Sequence, residues 1–430
     1  MRSMITIPPI SYLKGNVEVP GSKSISNRIL LLSALSRGKT KIVNLSDCQD
    51  TEIMLSVLKK IGIKFDLFKR NNFCIIYGNP NCFINCGKTD PTRLSFGNSG
   101  ISIRFLTAIL SISNNNVVLT GTKRMQERPI KQLVSSLKQG NAKIFYEKRY
   151  GFVPLKVIGG FHGGEIVLDS HISSQFLSAL LIAAPLAPNS TRILVKKRIV
   201  SKPYIDMTLS MIRLFKVHIE NYHYRLFQVN PNQKYVSPKF YCVEPDMTSA
   251  SYFLAASAIK GKFIRINGIK KDSIQGDSKF IDIIRKMGAN ILWKEDYVEC
   301  RKGELCGINI DANDVPDSAM TIAILALFAR GKTIIKNMNH WRFKESNRII
   351  SMKDGLIRAG AYVEEKRNRI IIYPPEKFQQ SKIRTYNDHR IAMCFSLLSL
   401  SDRTVIIDHP GCVNKTFPNF FQKLKEVSYR

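Results

Sequence analysis

Between Val19 and Arg28 the chain reads VPGSKSISNR: a short apolar strand ends, Pro20 and Gly21 turn the backbone, and Ser and Lys open a helix. The first N–H groups of a helix have no internal partner and sit at the positive end of its dipole. Ser22, Lys23, Ser24 and Arg28 add hydroxyl donors and cations to that field, which is the chemistry of a phosphate or carboxylate site. Taken alone, the segment reads equally well as an N-capped surface helix with scattered charge.

Other cations stand in comparable places. Arg128 lies in MQERP, Arg390 closes Asn387-Asp388-His389-Arg390, Lys415 sits in NKTFP, and Lys344 and Arg348 are four residues apart in WRFKESNR. If that last stretch is helical, the spacing puts both cations on one face with Glu345 beside them. One such cation by itself is a solvated surface charge. Placement at turns and helix starts raises the set above that background.

The elements that must position these groups recur along the chain. A small polar cluster, an apolar helix of about three turns, a Gly or Asn turn and a β-branched strand return six times. The copies begin at Ser26-Asn27-Arg28, Gly97 to Gly100, Ser173-Ser174-Gln175, Met247 to Ala250, Pro316-Asp317-Ser318 and Asn387 to Arg390. They are spaced roughly 70 to 75 residues apart, too far for a solenoid and long enough for one βαβαββ unit each.

Composition narrows the class. With 430 residues, 44% of them hydrophobic, the chain should form about two domains. MRSMITIPPI has no apolar stretch of signal-peptide type, and the runs from Leu177 to Ala187 and from Met320 to Ala329 are too short to span a bilayer, so a cytoplasmic, non-membrane protein is expected. Cys82 with Cys86 and Cys300 with Cys306 lack zinc-ligand spacing, which points to reduced thiols rather than a metal. The net charge of +32 suits a polyanion partner, but the Lys and Arg residues are spread along the whole length without a nucleic-acid reading motif. No nucleic-acid partner is expected.

The ordered motifs PGSKSISNR, GNSG followed by Arg104, RMQERP, SSQFLSALL, VSKPYIDMT, PDSAMT, WRFKESNR, TYNDHR and NKTFP resemble the 5-enolpyruvylshikimate-3-phosphate synthase family over essentially the full length. The related UDP-N-acetylglucosamine enolpyruvyl transferases would carry Lys-Asn at Lys23-Ser24 and a catalytic loop Cys, and neither is evident. The resemblance implies a two-lobed inside-out α/β barrel with three βαβαββ repeats per lobe. Residues 1–20 and 245–430 would form one lobe and residues 21–244 the other, with the active site in the cleft between them. It also implies a monomer that uses no metal or organic cofactor.

The implied reaction transfers the carboxyvinyl group of phosphoenolpyruvate to the 5-hydroxyl of shikimate 3-phosphate and releases phosphate, a step toward chorismate and the aromatic amino acids. Confining about five to six negative charges in a low-dielectric space demands many placed cations. By resemblance, Ser24 and Arg28 take the shikimate carboxylate, and Ser173, Ser174 and Ser201 the 3-phosphate. Gln175 and Tyr204 frame the ring, with Lys23, Asp317, His340 and Lys344 also touching this substrate. Phosphoenolpyruvate falls to Lys23, the Gly100 backbone, Arg128, Gln175, Arg348, Arg390 and Lys415. Asp317 is the implied base and Glu345 the implied donor to the methylene carbon, with Lys23 sharing proton traffic. Two alternatives remain: the same fold acting on UDP-N-acetylglucosamine, or a non-catalytic nucleic-acid-binding protein.

Four positions depart from the family pattern. His340 stands where Asn is usual, Gln49 where Asp is usual, and Ile101 and Phe105 where Thr and Pro are usual. The last two are expected to alter the helix beneath the phosphoenolpyruvate pocket.

Overall fold

A computed structural model describes residues 4–84 and 91–430, so Cys86 of the spaced cysteine pair lies outside the described residues. The chain divides into two compact units, Gly21–Val243 and Met1–Pro20 with Glu244–Arg430. It passes between them at Pro20 to Gly21 and at Val243 to Glu244. A Cβ at Gly21 would lie 1.9 Å from the Asn44 carbonyl oxygen, so only glycine fits the first passage.

The Gly21–Val243 unit holds helices α1 (Lys23–Leu35), α2 (Gln49–Ile61), α3 (Gly100–Leu110), α4 (Lys131–Gln139), α5 (Ser174–Ala183) and α6 (Pro203–Leu214). Every residue of α3 is buried; in α1 only Lys23 and Ser24 escape burial, and in α5 only Gln175. Helices without a polar face have to be surrounded. They achieve this by packing on one another, α3 against α5 and α1, with α6 against α5 and α1. The few residues left uncovered are ones the sequence marks for chemistry.

Three four-stranded sheets complete this unit, and all have one strand order. Thr92–Ser95 runs parallel to Val117–Thr120, which pairs antiparallel with Leu155–Gly159, which pairs antiparallel with Lys143–Tyr146. Parallel neighbours need a crossover, and α3 supplies it. Gly164–Asp169 and Thr191–Lys196 repeat the pattern around α5. In the third sheet the parallel strand comes from the far end of the unit, Phe240–Cys242, which lies beside Gly38–Val43.

The other unit holds α7 (Met247–Lys260), α8 (Lys279–Met287), α9 (Ala319–Leu325), α10 (Arg348–Arg358), α11 (His389–Ser396) and α12 (Phe420–Glu426). All residues of α9 and α11 are buried, and in α7 only Lys260 is not; α9 packs on both α7 and α11. The first twenty residues belong here because their strands complete two sheets. Tyr12–Val17 is the parallel partner of Gly261–Asn267, and Met4–Ile7 is the antiparallel partner of Val405–Asp408. The repeated βαβαββ unit read from the sequence is therefore present in a mixed α/β fold with six sheets among the described residues, the last of which has three strands.

Close approach of two helices fixes the second unit's centre. A Cβ at Gly355 of α10 would come within 2.2 Å of the Phe395 ring on α11. Gly355→Ala is expected to destabilise the protein by about 1 to 3 kcal/mol through overpacking, visible as a thermal midpoint lower by a few degrees. An unchanged midpoint would show that the Phe395 ring has room to swing aside.

Candidate active site

In the Gly21–Val243 unit the candidate residues gather at the first turns of α1, α3 and α5. Lys23 Nζ lies 3.2 Å from the buried Asp50 carboxylate. Asn27 Nδ2 donates to the Lys23 carbonyl at 3.0 Å, and its Oδ1 accepts from Ser102 Oγ at 3.1 Å, tying the start of α1 to the start of α3. A Cβ on Gly100 would stand 2.7 Å from an Arg128 guanidinium nitrogen, so the missing side chain is what lets that cation lie over the helix. Arg128 is 3% exposed and donates to the Asn98 carbonyl and side-chain oxygen at 3.2 and 3.4 Å. A cation held against the positive end of a helix marks a place where an anion is strongly favoured.

Arg28 is buried as deeply, at 1% exposure, in neutral surroundings. Its Nε donates to Thr208 Oγ1 at 2.8 Å and its terminal nitrogens to the Ser24 carbonyl at 3.0 Å, the Tyr204 carbonyl at 3.3 Å and Ser178 Oγ at 3.4 Å. The Phe105 and Tyr204 rings lie 5.2 and 5.9 Å from the guanidinium carbon. Burial pulls its pKa down to about 10, opposed only weakly by the Tyr204 phenol. Beside it, Ser173 Oγ caps α5 by accepting from the Gln175 N–H at 3.2 Å. Arg104 reaches across from α3 to Gln175 Oε1 at 2.5 Å, Ser173 Oγ at 3.5 Å and the Pro129 carbonyl at 3.0 Å. Ser174 is buried in the first turn of α5, and Ser201 holds a left-handed backbone (φ 57°) just before α6.

The other unit brings Asp317, His340, Lys344, Glu345, Arg348, Arg390 and Lys415 into one constellation. Arg348, 1% exposed, bonds Asp388 Oδ2 through Nε at 2.9 Å, Asp317 at 3.2 Å and Glu345 at 2.8 Å. Burial works against its charge, yet Asp388, Glu345 and Asp317 together hold its pKa above the ordinary value. Asp317 also bonds Arg390 at 2.9 Å and has Lys344 Nζ at 3.9 Å, while Lys415 Nζ lies 3.9 Å from Glu345. Burial lowers the Lys344 pKa, with Asp317 opposing.

The condition on which Lys344 and Arg348 would share a helix face, a helical Lys344 stretch, is not met. Asn339–Phe343 is a 3-10 turn, Lys344 is extended, and α10 starts only at Arg348. Long-range bonds set this path: Ser346 Oγ donates to Asp388 Oδ2 at 3.0 Å, and Lys344 turns to Asp317. The side chains still converge, on one carboxylate rather than one helix face. Phe105 lies in an uninterrupted α3 and is buried against Arg28.

Sequence reasoning missed the residues that hold the cations in place. Asp50 faces Lys23, Arg104 joins α3 to α5, and Asp388 both caps α11 at the Arg390 N–H (3.0 Å) and anchors Arg348. Asp277 Oδ1 accepts from the Ser318 N–H and Oγ at 2.8 and 2.7 Å, capping α9 from a distant segment; burial, then Asp317, raises its pKa. An Asp immediately before an apolar helix was the one available signal, at Asp388.

A family model described as EPSP synthase (3-phosphoshikimate 1-carboxyvinyltransferase) matches residues 7–424. The chain belongs to the EPSP synthase family. It is 50% identical to the 3-phosphoshikimate 1-carboxyvinyltransferase of Buchnera aphidicola subsp. Cinara cedri, covering 100% of this chain and 98% of that relative. With the enzyme of the same name from Proteus mirabilis the identity is 48%, over 99% of each chain. The solved EPSP synthase of Acinetobacter baumannii matches with a TM-score of 0.81 at 25% identity, covering 100% of this chain and 98% of that one. These likenesses favour the EPSP synthase reading over the UDP-N-acetylglucosamine and nucleic-acid alternatives. No helix among the described residues is long and apolar enough to cross a membrane.

For an EPSP synthase family member, His340 is the departure with a measurable signature. It is 1% exposed, and neither ring nitrogen completes a hydrogen bond; the Pro316 carbonyl, whose proximity slightly favours the imidazolium, is bonded by Trp341 Nε1 at 3.3 Å. Burial, then the Lys344 cation, brings the His340 pKa down to about 3, against the pull of Asp317. The folded protein therefore binds fewer protons than the unfolded chain between pH 6.5 and about 3. Stability from the neutral ring is complete above pH 6.5 and is lost on acidification, by at most about 1.4 kcal/mol per pH unit. Thermal melts of His340→Asn should show a shallower loss over that acid range. Parallel curves for both proteins would refute a buried neutral imidazole.

Proposed function

We propose that this EPSP synthase family member transfers the carboxyvinyl group of phosphoenolpyruvate to the 5-hydroxyl of shikimate 3-phosphate, releasing phosphate, and that its buried cations divide the two substrates. The observation that carries the reading is Arg28: a buried guanidinium ringed by hydroxyls, carbonyls and aromatic faces, for which a ligand carboxylate is the fitting counter-ion. Ser24 and Arg28 take the shikimate carboxylate, and Ser173, Ser174 and Ser201 take the 3-phosphate. Gln175 and Tyr204 frame the ring, and His340 offers a neutral N–H to the same substrate. Phosphoenolpyruvate is held by Lys23, Arg128 and the α3 N-terminus at Gly100, with Gln175 beside it, and by Arg348, Arg390 and Lys415.

The chemistry is addition followed by elimination. The 5-hydroxyl oxygen bonds to the enol carbon as its proton passes to Asp317, while the methylene carbon gains a proton from the Glu345 group. The tetrahedral intermediate then returns a proton from its methyl group and expels phosphate. Asp317 is clamped by Arg348 and Arg390, and an arriving substrate anion competes for those guanidiniums and frees the carboxylate when the hydroxyl is present. Lys344, whose ammonium is made more acidic by burial, is a ready proton source beside Glu345.

Acid, base and charge stabilisation all come from side chains, so the reaction as written uses no metal or organic cofactor. We place the enzyme in the cytoplasm as a monomer. Phosphate release from phosphoenolpyruvate should require shikimate 3-phosphate and should not occur with UDP-N-acetylglucosamine; the reverse preference would overturn the reading. Asp317→Asn and Glu345→Gln should bind both substrates yet lose at least about a hundredfold in kcat. Near-normal turnover in either would remove that residue from its role.

A further inference from the structure

Five hydrogen-bond donors leave the edges of the Arg28 guanidinium, and four protein contacts fix its direction in the plane: Thr208 Oγ1, Ser178 Oγ and the carbonyls of Ser24 and Tyr204. These contacts lie at the edges and leave the two faces of the guanidinium to other groups, whose π-electron density acts directly on the charge. One such group is the Phe105 ring, 0% exposed, with its centroid 5.2 Å from the guanidinium carbon. The Tyr204 ring lies at 5.9 Å on α6, which already bonds Arg28 through Thr208 and the Tyr204 carbonyl, whereas Phe105 comes from α3, which supplies none of the four edge bonds.

That element is α3, whose first residue is Gly100. Arg104, next to Phe105, crosses to Ser173 and Gln175 and packs on the Phe176 ring at 4.9 Å. The same helix that begins at the Arg128 anion site thus presents successive side chains to two groups assigned to the other substrate. We propose that Phe105 is a positioning residue for shikimate 3-phosphate: its ring face orients the Arg28 guanidinium for the substrate carboxylate. This rests on the reading that Arg28 binds that carboxylate. In the absence of a carboxylate partner, the negative face of the ring is also what favours the buried charge before substrate arrives.

A ring that merely fills space and a ring that orients a cation differ in electronics, not in shape. Replacing Phe105 with 4-fluoro-, 3,5-difluoro- and 3,4,5-trifluorophenylalanine withdraws electron density from the ring face step by step at nearly constant size. The KM and directly titrated Kd for shikimate 3-phosphate should rise with each added fluorine, reaching about tenfold, while kcat and the KM for phosphoenolpyruvate stay within about twofold. Phe105→Leu should fall at the weak end of the series, and in an Arg28→Ala background the fluorine series should have no further effect. A flat series with unchanged thermal midpoints would make Phe105 filler and overturn the proposal. Parallel rises in both KM values would also overturn it, since they would mean that α3 as a whole has moved. If Arg28→Ala leaves shikimate 3-phosphate binding intact, the reading of Arg28 itself fails, a result separate from the fluorine series.

Discussion

Taking a guanidinium out of water costs several kcal/mol unless something of opposite polarity replaces the solvent. The two units meet this requirement in opposite ways. Arg348 is surrounded by Asp388, Glu345 and Asp317, all on the protein. Arg28, equally buried, meets only hydroxyls, carbonyls and ring faces among the described residues. Under the proposed function, a substrate anion would complete the second arrangement and displace part of the first. Binding at Arg28 would then add a counter-ion, and binding at Arg348 would exchange one carboxylate for another.

The repeated fold makes such burial possible. Helices apolar on every side can present functional groups only at their ends, because the rest of their length is covered. Lys23 and Ser24, Gly100, Ser174 and Gln175, and Arg390 all lie in a first helical turn, where unpartnered N–H groups already favour anions. Duplicating one βαβαββ unit multiplies that end. Each copy then needs only one or two polar substitutions to become part of a binding surface.

This is also why the architecture was legible from the sequence while half of the site was not. Fully buried helices leave long apolar runs followed by Gly or Asn turns, and six such runs are visible by inspection. Cations at their heads stand out against those runs. Their counter-charges do not: Asp388 lies 40 residues from Arg348, and Asp317 lies 73 residues from Arg390. An ion pair closed by folding leaves no periodic trace in the chain. The same long-range bonds overrode local spacing at Lys344, where four-residue separation suggested one helix face and the structure gives an extended residue turned to Asp317. Phe105 was visible in the sequence as a departure within α3, but its contact with Arg28 was not, because helix position says nothing of what lies across the core.

The three carboxylates on Arg348 are not equivalent, and their difference makes exchange feasible. Asp388 is fully buried, takes both Nε at 2.9 Å and a terminal nitrogen at 3.3 Å, and at the same time caps α11 through the Arg390 N–H. Moving Asp388 away would uncap a buried helix as well as remove this counter-charge, so this edge of the guanidinium is fixed. Asp317 and Glu345 are 13% and 8% exposed on their side chains and meet only the terminal nitrogens. They are the contacts an incoming anion can take over without drawing Arg348 out of its burial. One edge anchored and the other exchangeable lets a permanently buried cation serve structure before binding and the substrate after it. Under the proposed function, the carboxylates that such an exchange would release are the two assigned to proton transfer, so occupancy of the site would free them for that role.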